Sequence, residues 1–77
     1  MMPSKKVIDY TDVAWPFNLL KSYRSVKQME SGEKIEILIS DADVLKSLIL
    51  VIDQSPGYCF TYIEENEAYR LAVKKNR

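Results

Sequence analysis

The sequence predicts a two-layer α/β sandwich of order β-α-β-α-β-β, with two helices on one face of a four-stranded mixed sheet. Three observations predict it. Residues 34–40 alternate cleanly between apolar and polar side chains. Two segments, 17–29 and 42–54, carry apolar residues at helical spacing. Residues 58–64 and 68–74 alternate again on either side of a short polar turn, the pattern of an antiparallel hairpin.

Each element has its own warrant. Residues 5–10 contain the β-branched Val7 and Ile8 and read as a first strand. Residues 11–15 connect, and Pro16 suits the first helical position, where its missing N–H costs nothing. Over 17–29, Leu19, Tyr23, Val26 and Met29 (or Leu20 in place of Leu19) define a core face, with Lys21, Arg24 and Lys27 opposite. Glu30-Ser31-Gly32-Glu33 ends that helix at a glycine. In the next strand Ile35, Ile37 and Ile39 face one way, and Lys34, Glu36 and Ser40 the other. Ser40 or Asp41 offers an N-cap for the second helix. Its apolar residues Val44, Leu45, Leu48, Ile49, Val51 and Ile52 make a face wide enough for deep burial or a partner. Ser55-Pro56-Gly57 breaks it, and Glu65-Asn66-Glu67 turns the hairpin.

Composition narrows the function classes. Seventy-seven residues make a single domain, 1–77, which buries only about 60–65% of its unfolded surface. Eleven basic and eleven acidic residues cancel, so no long-range field gathers phosphates and a nucleic-acid partner is not expected. Lys74, Lys75 and Arg77 read as a solvated basic tail. One cysteine, Cys59, and no histidine exclude both an internal disulfide and a Cys/His zinc site, and no cofactor is implied. Residues 1–6 open no run of signal-peptide length. The longest apolar run, 48–52, falls far below the roughly 18 residues of a membrane span. The expectation is a cytoplasmic protein with no membrane partner.

With particular residues added, the layout resembles the TusA/SirA family of small sulfur-carrier proteins. That family places an Asp on the first strand, then a Cys-Pro-x-Pro motif opening the first helix. Its first helix ends near Met-x-x-Gly-Glu, its second helix starts acidic, and its last strand often begins Tyr-Arg. Here Asp9 precedes Trp15-Pro16-Phe17-Asn18 by six residues. Met29-Glu30-Ser31-Gly32-Glu33 closes the helix, Ser40-Asp41 opens the second, and Tyr69-Arg70 starts the last strand. The landmarks can be placed without a gap from Asp9 to about Lys75.

The departure falls on the family's chemistry. In the family, a thiolate at the helix N-terminus, stabilised by free N–H groups and the helix dipole, carries a persulfide sulfur between proteins. Trp15 stands at that cysteine, Asn18 at the second proline, and Asp12 at the glycine ahead of the motif. An indole offers an N–H donor and a large apolar surface, and it holds no transferable sulfur.

The remaining candidates carry less chemistry. Cys59 falls on the third strand, with Thr61 and Ile63 on its side and Tyr58, Phe60 and Tyr62 on the other. If those aromatics meet the helices, Cys59 lies on the open face. No helix start attends it, and the plain reading is a semi-buried thiol without a role. Asp9, Asp12, Asp41 and Asp43 make no catalytic pair, and Glu64, Glu65 and Glu67 read as a solvated turn. Trp15 either staples the first helix to the sheet or anchors a partner, tryptophan being enriched at binding hot spots.

The expected function is therefore a non-enzymatic adaptor or regulator that binds a protein partner through Trp15, Pro16, Phe17 and Asn18. The alternative is a sulfur carrier or sulfurtransferase that uses Cys59. An aromatic sheet face for RNA stacking is a distant third reading. A monomer, or a weak homodimer through the open sheet face or the second helix, fits the sequence equally.

Overall fold

The computed structural model describes residues 5–76. Residues 1–4 of the N-terminal reading, and Arg77 of the basic cluster, lie outside them. The elements are β1 (Lys5–Asp9), α1 (Phe17–Lys27), β2 (Lys34–Ile39), α2 (Ala42–Asp53), β3 (Tyr58–Glu65) and β4 (Ala68–Lys75). The sheet order is β1-β2-β4-β3; β1 pairs parallel with β2, and both other pairings are antiparallel. The fold is the mixed-sheet α/β sandwich that the pattern predicts.

The register explains why the helices share one face. Ile35, Ile37 and Ile39 stand opposite Val73, Leu71 and Tyr69 on β4, so one side of the two central strands is a continuous apolar floor. Val26 from α1 and Met29 just beyond its end join Val44, Leu45, Leu48 and Ile52 from α2 in the same buried cluster over that floor. Ile37, Ile39, Leu71 and Leu48 are fully enclosed. The other side of the sheet is open. There Arg70 on β4 donates from Nη1 to Glu36 on β2 at 2.8 Å and from Nε to Glu65 on β3 at 2.7 Å, tying three strands together. These two carboxylates hold the guanidinium pKa above its ordinary value, by hydrogen bonding first.

Helix ends follow local chemistry. Asp41, rather than Ser40, caps α2: its Oδ1 accepts from the N–H groups of Asp43 and Val44 at 2.8 and 3.4 Å. α1 stops at Lys27, two residues short of the expected end, and Met29 still reaches the core. The expectation of a helix ended by glycine needs correction. Gly32 lies in the following turn, where Glu33 N–H donates to the Glu30 carbonyl and φ is +86°. Open space surrounds its missing Cβ, so the backbone angle alone demands glycine there.

Two side chains from the sheet close the C-terminal end of α1. The Tyr58 hydroxyl donates to the Val26 carbonyl at 3.3 Å, and Lys75 Nζ donates to the Met29 carbonyl at 3.1 Å. Cations are favourable at this end of a helix. Lys75 also lies 5.5 Å from the Tyr58 ring centroid. It is therefore a half-buried strut of β4, not part of a solvated tail. The hairpin turn is tighter than expected, since Glu65 pairs with Ala68 and only Asn66 and Glu67 turn, both at positive φ. Among the described residues no helix is long and apolar enough to cross a membrane.

Candidate functional site

The segment between β1 and α1 is pinned at several points and carries Trp15 at its end. Asp9 Oδ1 accepts from Thr11 Oγ1 at 2.6 Å and from Thr11 N–H at 2.9 Å. These bonds, the hydroxyl's first, hold the Asp9 carboxyl below its ordinary pKa. Tyr10 N–H donates to the Leu38 carbonyl, and the Tyr10 hydroxyl bonds Ser25 Oγ on α1 at 3.0 Å. Ser40 Oγ donates to the Thr11 carbonyl at 3.2 Å, fixing the segment beside the start of α2. Pro16 occupies the N-cap of α1 rather than its first turn, and makes no side-chain cap.

Without that cap, the first turn satisfies its donors from within. Asn18 N–H reaches the Ala14 carbonyl, Leu20 N–H the Pro16 carbonyl, and Leu19 N–H the Asn18 side-chain oxygen at 2.8 Å. This last bond overturns one expectation. Asn18 turns inward and is 4% exposed, so it serves the helix start and lies outside any docking surface. Pro16 is half-buried.

The orientation of α1 overturns another. The inward side of α1 is Asn18, Ser22 and Val26, with Met29 beyond the helix end, while Leu19 packs only partly. Val26, Met29 and Leu19 meet the core as expected, whereas Tyr23, and Leu20 as the alternative to Leu19, are exposed. Trp15 is 67% exposed, Phe17 58% and Leu20 57%, whereas Ser22 is completely enclosed. Among the described residues Ser22 Oγ finds no hydrogen-bond partner. Phe17, Leu20 and Tyr23 recur every third residue and share a flank. Lys21, Arg24 and Lys27 interleave with them, Lys27 Nζ lying 5.5 Å from the Tyr23 ring centroid. The helix contains no acidic residue. Its outer surface is thus aromatic and cationic, and Trp15 extends it at the N-terminal end.

Leu20 and Tyr23 are the surface residues that sequence reasoning missed. Two overlapping stripes share Val26 and Met29, one continuing through Tyr23 and one through Asn18 and Ser22. Apolar periodicity alone chooses the first. The signal for the second was the spacing of Asn18, Ser22 and Val26, four residues apart each time, in line with Met29.

Cys59 sits far from α1, exposed on the open face of the sheet. It helps line a depression of about 330 Å³, together with Lys34, Glu36, Thr61, Ala72 and Lys74. In register it stands opposite Lys74, and the Asn76 side-chain amide donates to its sulfur at 3.5 Å. Tyr58 and Phe60 pack against the core on the opposite face, as the alternation predicts. Tyr62 shares their face, opposite Leu71, but is exposed. Among the described residues no group of three His, Cys, Asp or Glu side chains is placed to hold a metal ion.

No protein-family model matches the sequence, and no curated protein matches it. A solved structure does resemble the fold: the crystal structure of a SirA-like protein from Desulfitobacterium hafniense. It superposes with a TM-score of 0.69 at 16% sequence identity, over 88% of this chain and 93% of that one. Element order, sheet topology and this superposition agree, and the chain has the SirA-like α/β sandwich fold.

Proposed function

We propose that this chain is a protein-binding adaptor on a SirA-like scaffold, docking its partner through Trp15, Phe17, Leu20 and Tyr23. The observation that carries the reading is the aromatic surface that α1 and the residues before it leave in solvent. The helix buries Asn18 and an unpartnered Ser22 while it turns a leucine and three aromatic residues of its vicinity to solvent. Folding alone favours neither feature, because burying an unpaired hydroxyl costs about 1–3 kcal/mol and an exposed leucine forgoes about 1.5–3 kcal/mol. Tryptophan and tyrosine are hot-spot residues, and flanking arginine and lysine supply complementary charge at the rim. By the sequence resemblance, Trp15 stands where the TusA/SirA family carries its sulfur-bearing cysteine, and this directs the search for a partner toward sulfur-transfer proteins.

The test begins with capture on immobilised wild-type chain, followed by direct titration of the recovered protein against variants. Trp15→Ala and Phe17→Ala should each weaken binding about tenfold or more, and the exposed Leu50→Ala on α2 should leave it unchanged. Equal binding by all three variants contradicts the reading.

A second reading has one observation of its own: Cys59 is exposed in a depression beside Lys34 and Lys74. In this reading the Cys59 thiolate attacks the terminal sulfur of a donor persulfide. A new S–S bond forms on Cys59, and the donor leaves as its thiolate. Intact-mass measurement after incubation with a cysteine desulfurase and cysteine tests it. A gain of one sulfur atom, abolished in Cys59→Ser, supports it; no gain beside a normally loading family member ends it.

A further inference from the structure

The two edges of the sheet are unlike each other. β1 runs five residues and includes Lys5, Lys6 and Asp9. Short length and charge are the usual means by which an edge avoids pairing. β3, at the other edge, runs eight residues without a Lys, Arg, Pro or Gly, and its two charges, Glu64 and Glu65, sit only at the hairpin end. Thr61, Tyr62 and Ile63 at its centre are all exposed. An edge whose first six residues are uncharged is a template for another strand.

The register says which backbone groups are free. The hairpin closes with Glu65 opposite Ala68 across a two-residue turn, and the closing residues of such a hairpin exchange both backbone bonds. At the far end, Asn76 N–H donates to the Gly57 carbonyl at 2.6 Å, in the same alternation. Cys59, Thr61 and Ile63 therefore direct their backbone groups toward β4. Tyr58, Phe60, Tyr62 and Glu64 direct theirs outward.

We infer that β3 pairs antiparallel with β3 of a second copy, about a two-fold axis that passes through Thr61 normal to the sheet. The axis must place residues of the same facing opposite each other, and centring it on Thr61 engages the strand from Tyr58 to Glu64. Phe60 then pairs with Tyr62 of the second copy, Tyr58 with Glu64, Cys59 with Ile63, and Thr61 with its own symmetry mate. The outward backbone groups find partners, and aromatic–aromatic and Thr–Thr pairs are favourable across strands. Charge agrees as well. Glu64 and Glu65 of one copy come to the end of β3 where Lys75 and Lys74 flank Tyr58 and Cys59 of the other. A parallel pairing in register would instead set like charges side by side. The two-fold contact is self-complementary and closes at a dimer. It leaves the outer surface of α1 out of the interface, so it stands or falls independently of the docking face.

Sedimentation velocity on the full chain, up to about 1 mM, tests the contact. The wild type should pass from monomer to dimer as concentration rises. Thr61→Lys, at an exposed position, sets two lysines across the axis and should weaken the dimer about tenfold or more. A wild type that stays monomeric overturns the inference, and so does a dimer that Thr61→Lys leaves intact. In a Cys59→Ser background, Thr61→Cys should cross-link two chains, since paired Cα atoms at the axis lie about 4.5 Å apart. Ile63→Cys in that background should not. A dimer without the 61–61 cross-link overturns the register.

Discussion

Ser22 and Leu20 stand two positions apart on α1 with their exposures reversed: the serine is fully enclosed and the leucine lies mostly in solvent. Stability and function separate at these two residues. Ser22→Ala removes a buried hydroxyl without a partner and adds a better helix former. It should stabilise the chain by about 1 kcal/mol, read as a higher urea midpoint at unchanged slope. A loss of stability would mean that the hydroxyl is satisfied.

Leu20→Ala, by contrast, should change stability by no more than about 0.5 kcal/mol, the usual range for surface positions. Ile37→Ala, in the enclosed floor between β1 and β4, should cost about 2–5 kcal/mol. Urea titrations of the pair check the orientation of α1. A large cost at Leu20 would place it in the core and remove the docking face.

The hairpin turn gives a prediction from backbone geometry. Glu67 holds φ at +63° with a Cβ that disfavours it, and Asn66 beside it holds +53°. Two-residue turns of this kind prefer Asn-Gly. Glu67→Gly should raise stability by about 0.5–1 kcal/mol, measured by thermal or urea unfolding. Glu67→Val should lower it.

Much of the fold was legible in the residues. The alternation of Ile35, Ile37 and Ile39, a cap at Ser40 or Asp41 and the breaker at Ser55-Pro56-Gly57 each act within a few residues, so sequence reveals them directly. The burial of Asn18 and Ser22 and the exposure of Tyr23 were not legible, because the expected stripe and the observed one share Val26 and Met29 and differ by only part of a turn. Asn18 was read as surface for a related reason: its bond to Leu19 N–H is decided by an N-cap proline that offers no side-chain oxygen. The role of Lys75 likewise depends on a carbonyl 46 positions away, at Met29. For the candidate site, the exposed position of Trp15 and Phe17 was half-read, and the extension to Leu20 and Tyr23 came only with their exposure.

Acid titration distinguishes the pinned segment from a loose one. The folded-state pKa of Asp9 is lowered by the two Thr11 hydrogen bonds. Its contribution to stability is therefore full above the unfolded-state pKa and is lost as pH falls through the lowered value. Thr11→Val removes the hydroxyl bond and keeps the N–H. The Asp9 resonance in an NMR titration should move to a higher pKa, and this part of the acid-side loss should shrink. An unchanged titration would show that Thr11 does not hold the carboxylate.

The central claim, an exposed aromatic docking face on α1, is read most directly from the single tryptophan, Trp15. Its fluorescence can be followed in the free chain and during titration with the captured partner. The account predicts red-shifted emission, readily quenched by acrylamide, in the free chain. Saturation with the partner should then give a blue shift and protection. Emission already blue and protected in the free chain, or unchanged when the partner is bound, would contradict it.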